Sequence, residues 1–189
     1  MAFYGLAKPI IAKLDESTTP PKYTDGFVCG KAMTVEIDPQ QAEGSLAGDN
    51  STAEYDSEFT EANITLGTTT LPVEASSTMF GHTVDAEKKT VISKASDQSN
   101  YVGSGFYANE KVDGKAKVVA VWIYKAKYTE GKTTYKTKGK TIEYQTPSVQ
   151  GKAVALATGE WKENFICDTE QEAIEWLETK AGIKQPDTP

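Results

Sequence analysis

Gly-Lys-Thr occurs twice in this chain, at Gly131-Lys132-Thr133 and at Gly139-Lys140-Thr141. It is the first place to look for phosphate chemistry. A phosphate cradle needs a further Gly five residues ahead of the Gly-Lys pair, so that successive backbone N–H groups can wrap the anion. Those positions hold Ala126 and Thr134, and neither stretch leads from a buried strand into a helix. Both read as Lys-bearing turns. His82 is the sole histidine, which excludes multi-His metal centres and most His-assisted nucleophile schemes; between Gly81 and Thr83 it reads as a loop residue. Cys29 and Cys167 stand far apart without Cys-x-x-Cys spacing and read as two buried thiols rather than a bridge or a zinc pair. Asp49, Glu54, Asp56, Glu58 and Glu61 form an oxygen-rich run. It could hold a hard cation but lacks the ordered EF-hand series, and it reads first as solvated acids. Glu54, Asp56 and Glu58 would share one face of an extended segment. The sequons at Asn50 and Asn63 carry no weight without a secretory signal. No cofactor and no catalytic constellation is expected, and the chain reads as a non-enzyme.

Charge narrows the partners. The net charge is −7 and all twenty basic residues are Lys. Without Arg there is no bidentate fork for phosphate or guanine, which argues against phosphoryl transfer and sequence-specific DNA reading. The charges are segregated: residues 32–87 hold eleven acids and no Lys, residues 111–140 nine Lys against two acids, and residues 158–189 eight acids against three Lys. Opposed blocks fit copies of the chain meeting head to tail, or neutralisation between neighbouring strands of one copy. No apolar run approaches a membrane span, and the first sixteen residues make no signal peptide; cytoplasmic synthesis is the expectation.

The elements that must position these residues follow a period of two. Residues 115–128 place Ala116, Val118, Ala120, Trp122, Tyr124, Ala126 and Tyr128 on one face, while Val119, Val121 and Ile123 make the other face apolar at the centre. A strand apolar on both faces is covered on both sides, and Val119, Val121 and Ile123 are the candidate interface residues. Further strands are expected within 3–14, 27–37 (after a turn at Thr24-Asp25-Gly26), 59–66, 90–94, 101–109, 141–146, 152–157 and 161–167, with a hairpin closed at Thr129-Glu130-Gly131. Two helices interrupt them. One runs over 72–80, with Val73 and Phe80 on a shared face. The other covers about 169–181, capped at Asp168 or Thr169, with Ala173, Ile174, Leu177 and Ala181 as its stripe and Gly182 ending it. Residues 185–189 read as frayed. Trp122, Trp161 and Trp176 read as core or interface anchors. The fold class is mainly β, an antiparallel sandwich or barrel in one domain spanning 1–189. Residues 39–58 show no pattern and read as an exposed arm that orders against a partner, with Gly44, Leu46, Asp49, Asn50, Tyr55 and Phe59 as its assembly residues.

Taken in order, the opening Phe3-Tyr4-Gly5-Leu6, the segment Met33-Thr34-Val35-Glu36-Ile37, the acidic arm with Ala47-Gly48-Asp49-Asn50, Asn63-Ile64-Thr65-Leu66, Phe80-Gly81, Tyr101-Val102-Gly103-Ser104-Gly105-Phe106, the Trp122 strand, the run Ile142-Glu143-Tyr144 and the closing Ala173-Ile174-Glu175-Trp176-Leu177 form a layout. It resembles the major tail proteins, the tail tube subunits, of long-tailed, non-contractile bacteriophages. The resemblance implies a β-sandwich of the tail-tube type flanked by a helix. It further implies hexameric rings stacked into a hollow tube in the virion tail, assembled in the host cytoplasm. Partners would be other copies in ring and inter-ring contacts, the tape measure, tail terminator and distal tail proteins, and DNA passing non-specifically through the lumen; no membrane is implied. The alternative is a monomeric β-sandwich binding module for a cell surface or a carbohydrate.

Overall fold

The computed structural model describes residues 2–48, 51–85, 87–112, 114–137 and 146–183. The expected strand over 141–146 lies almost wholly outside these residues, as do Asp49, Asn50 and the 185–189 tail. The protein is mainly β, antiparallel, with two helices.

Strands β1 (Ala2–Asp15), β2 (Lys22–Val28), β3 (Ala32–Gly48), β4 (Ser51–Thr68), β7 (Tyr101–Val112), β8 (Lys115–Thr129) and β9 (Ser148–Ala153) form one sheet in the order β2-β1-β7-β8-β9-β4-β3, and β10 (Lys162–Cys167) pairs with β8 beside β9. A small hairpin of β5 (Thr83–Asp85) and β6 (Thr90–Ile92) stands apart. The large sheet rolls on itself: β1 touches β3 although four strands separate them in the order. Ile11, Ile64, Leu66, Val102, Ile123 and Tyr128, from opposite ends of that order, pack as one core inside the roll, with Met79 and Phe80 closing its side. Helix α1 (Val73–Thr78) precedes that closing pair.

A second core lies on the outer face of β7 and β8. Register places Tyr107, Ala120 and Phe165 in one cross-strand row and Gly105, Trp122 and Glu163 in the next. Helix α2 (Glu170–Lys180) covers these rows with Ala173 and Leu177, continued by Ala181, all fully buried. The alternation of Gly103 and Gly105 has a steric cause. A Cβ at either position would come within 2.5 Å of the Trp122 indole, and one at Gly103 would also meet the Tyr23 ring. Glycine here makes the slot in which Trp122 lies edge-on to Tyr23, their centroids 5.0 Å apart. The helix starts as its sequence dictates: Thr169 accepts a hydrogen bond from the Glu172 N–H, and the Glu172 carboxylate accepts one from the Thr169 N–H. Thr169→Ala removes one half of this reciprocal cap and should cost about 1 kcal/mol, measurable as a lower urea midpoint at unchanged slope.

Several expectations are corrected. The even face of β8 is not unbroken. Pairing with β7 runs from Ser104 opposite Ile123 to Val102 opposite Ala126, so β8 carries one extra residue at Tyr124-Lys125, a bulge that swaps its faces. Val118, Ala120 and Trp122 therefore face α2, while Ala126 and Tyr128 face into the roll. Residues 27–37 are two strands, not one, divided at Gly30 where φ is +60°. Thr24-Asp25-Gly26 lies inside β2, with Asp25 at φ +53° beside a register shift against β1. No tight hairpin forms at 129–131; β8 pairs instead with β9, which begins at Ser148. Val73 is exposed while Phe80 is buried, so they do not share a packed face. The stretch 39–58 is not patternless: its described residues continue β3 and β4 as a two-stranded ribbon.

Candidate assembly surface

The ribbon is the outward extension of two core strands. Val35 faces Leu66 and Ile37 faces Ile64 inside the roll. The pairing then continues, with register shifts at Gln40-Gln41 and Leu46-Ala47, through Gly44 opposite Asp56 and Ser45 opposite Tyr55 to Gly48 opposite Ser51. Residues 41–46 and 54–58 are all exposed. At the root, Phe59 is half-buried and stacks on Trp161, centroids 4.5 Å apart and planes within 12°. Phe59 is thus the arm's anchor and not one of its free contacts. Beyond it, Glu54, Asp56 and Glu58 do fall on one face, opposite Leu46, Gly44 and Ala42 on the neighbouring strand. No cation of this chain is among those cross-strand neighbours. The other face carries Tyr55, whose hydroxyl is pushed up by its hydrogen bond to Glu43, and the Ser57–Gln41 contact. Leu46 and Tyr55 are 61 % and 58 % exposed near the tip, where an isolated ribbon has nothing to bury them against.

The inside of the roll is filled at one end and open at the other. Past Ile123 the same face of β8 carries Val121 and Val119, opposite Phe106 and Ala108 of β7. With Met33, Val35 and Ile37 of β3 and Phe3 to Leu6 of β1, they line a groove of about 650 Å³. Its rim exposes Phe3, Tyr4 and Met33. Of the three candidate interface residues, Val119 and Val121 line this groove, whereas Ile123 is fully enclosed in the core. Sequence reasoning missed Phe3, Tyr4, Met33 and Phe106 as members of the same surface. The alternation of Met33, Val35 and Ile37 was the available signal. What it lacks is the register that brings four strands together. Beside the groove, among the described residues β10 pairs through its backbone with β8 alone, and Ile166 on that strand is 65 % exposed.

A scan of protein families and a search of curated proteins give no match to this sequence. The chemistry must therefore be read from the residues themselves.

A second cleft of about 540 Å³, lined by Tyr23, Tyr124, Trp176, Glu160 and Lys180, lies against α2. Its aromatic faces are engaged: Phe165 stacks on Trp176, Tyr23 meets Trp122, and the Lys180 ammonium sits over both Tyr124 and Trp176. Glu163 ties the set together, accepting hydrogen bonds from Tyr124 at 2.5 Å and Lys180 at 2.6 Å. Burial pushes the Glu163 carboxyl up, but the two hydrogen bonds and the Lys180 charge outweigh it and hold it below 4.5. A carboxyl lowered on folding stabilises the fold fully above its unfolded value and loses that contribution as pH falls through its folded one. Unfolding of the wild type should therefore lose more stability between about pH 5 and pH 3 than that of Glu163→Gln, read from paired urea titrations. Cys29 is a packing residue: burial pushes its thiol up to about 12, leaving no thiolate for chemistry. Cys167 is buried on the other side of the sheet, in the core under α2, and its thiol is raised by burial as well. His82 bridges loops, with Nδ1 2.9 Å from Asp97 and Nε2 3.5 Å from Glu130. Among the described residues, no helix is long and apolar enough to cross a membrane.

Proposed function

We propose that this chain is a structural subunit that assembles with copies of itself into stacked, hexameric rings. The product is a hollow virion tail tube of the kind formed by the major tail proteins it resembles, conducting DNA into a host. One observation carries the reading. A two-stranded arm grows out of the core sheet and displays an acid ladder and two large apolar side chains that stand more than half exposed among the described residues. A solvated ribbon of this length has no stability of its own to gain from Leu46 and Tyr55; a neighbouring copy supplies the missing surface. Because the arm and the apolar groove are different patches of one molecule, their contact is heterologous and repeats from copy to copy. The Lys-rich stretch after residue 110 supplies charge of the opposite sign to the arm. Assembly would take place in the host cytoplasm, with other tail proteins meeting the ends of the tube.

Electron microscopy of the purified protein tests this. Rings or tubes are expected as concentration rises. A protein that stays a monodisperse monomer at high concentration and on seeding overturns the reading in favour of a monomeric binding module.

A further inference from the structure

We infer that the open groove between β1, β3, β7 and β8 is the seat of the arm of a neighbouring copy. This rests on the assembly reading and adds where the arm goes. The groove is an apolar concavity whose rim leaves Phe3, Tyr4 and Met33 half or more exposed, a patch of the kind that marks protein contact. Leu46, near the arm tip, is the exposed apolar side chain that would enter it.

The chain's own arm cannot fill its own groove. Met33 sits in the groove wall and Leu46 near the tip of the same strand, paired with β4 along its length. Thirteen residues of strand at roughly 3.3 Å each put Leu46 about 40 Å along the chain from Met33. The occupant is therefore a second copy.

Charge favours the same pairing. Leu46 shares its face with the acids Glu54, Asp56 and Glu58. The groove face carries Lys162 in its lining, and Lys115 and Lys117 on β8 beyond Val119. Lys117 is held by Asp168, while Lys115 and Lys162 are exposed. Glu110, on the same face of β7, lies opposite Lys117 and is 93 % buried. The edge of β10 away from β8, unpaired among the described residues, lies alongside and offers an extended segment further hydrogen bonds.

Cysteine cross-linking tests the seat. In the double variant Met33→Cys/Leu46→Cys, mild oxidation during assembly should produce a ladder of covalent multimers on a non-reducing gel. Each single variant should give no species beyond a dimer. The native thiols are buried and stay silent. Tubes or rings seen by microscopy without the ladder would overturn this seat and leave the assembly reading standing; no assembly at all would overturn both. Met33→Asp, at a position 53 % exposed, reads the same contact without cross-linking. It should fold as the wild type does and assemble at least tenfold more slowly. Unimpaired assembly of that variant overturns the inference.

Discussion

Deleting residues 44–54 is expected to yield a folded monomer that no longer assembles at any accessible concentration. Glu43 and Ser57 already face each other across the ribbon, so the deletion leaves them joined by Tyr55-Asp56 as a two-residue turn. It touches nothing in either core: the described residues it removes include Gly44, Ser45, Leu46 and Glu54, all exposed. Changes to such surface change stability by little, here under about 1 kcal/mol. The circular dichroism spectrum and unfolding midpoint should match the full chain, while sedimentation and microscopy should show assembly abolished. If the shortened protein still builds normal tubes, the arm is not the assembly element. Its acid ladder would then be no more than a solvated face.

The second large effect concerns the outer core. Trp122→Ala should destabilise the protein by about 3–5 kcal/mol, a sizeable part of the roughly 5–15 kcal/mol that holds an ordinary domain together. Trp122 is fully buried, and its surroundings cannot close on the space it leaves. Gly103 and Gly105 carry no side chains to move in, and Leu177 is already in contact with that slot from the other side. Thermal unfolding followed by circular dichroism should show a fall of roughly 10 °C or more. Trp122→Phe, which keeps a ring against Tyr23, should recover part of it. A shift of only a degree or two in Trp122→Ala would mean that α2 is not held to the sheet through this residue.

What the sequence could show was set by the range of each interaction. Strand β8 was legible because its apolar residues recur locally, and α2 because its cap, stripe and terminal glycine lie within fifteen residues. The arm was legible as an exposed segment but not as a pair of strands. Gly, Ser, Ala and Asn have weak strand preference, and what makes 39–48 a strand is its partner strand across the ribbon tip. The bulge at Tyr124-Lys125 was hidden for a related reason. Both Trp122 and Ala126 are apolar at even positions, so the pattern reads straight through a point where the faces exchange. On that one face of β8, Val119 and Val121 line the groove while Ile123 is enclosed. Ile123 is the last residue before the exchange, where the roll is already closed by Tyr128, Val149 and Ala153. The Glu163–Tyr124–Lys180 cluster joins three elements and left no local mark at all.

The continuity of the arm with the core has a mechanical meaning. Strand β4 runs from the arm, past the register shift at Gln40-Gln41, into the core sheet, where Ala62 to Gly67 pair with β9 on one side and with the last strand in the order, β3, on the other. Hydrogen bonds between antiparallel strands lie perpendicular to the chain. A pull along the arm therefore strains all of them together in shear, rather than peeling them one after another from an end. Tension arriving at the tip is delivered to the part of the sheet formed by β9, β4 and β3 and shared across two rows of bonds. The Phe59–Trp161 stack braces the root against sideways bending. The arm is in this sense a tether: free to be placed by whatever it meets, and hard to pull out of the sheet that anchors it.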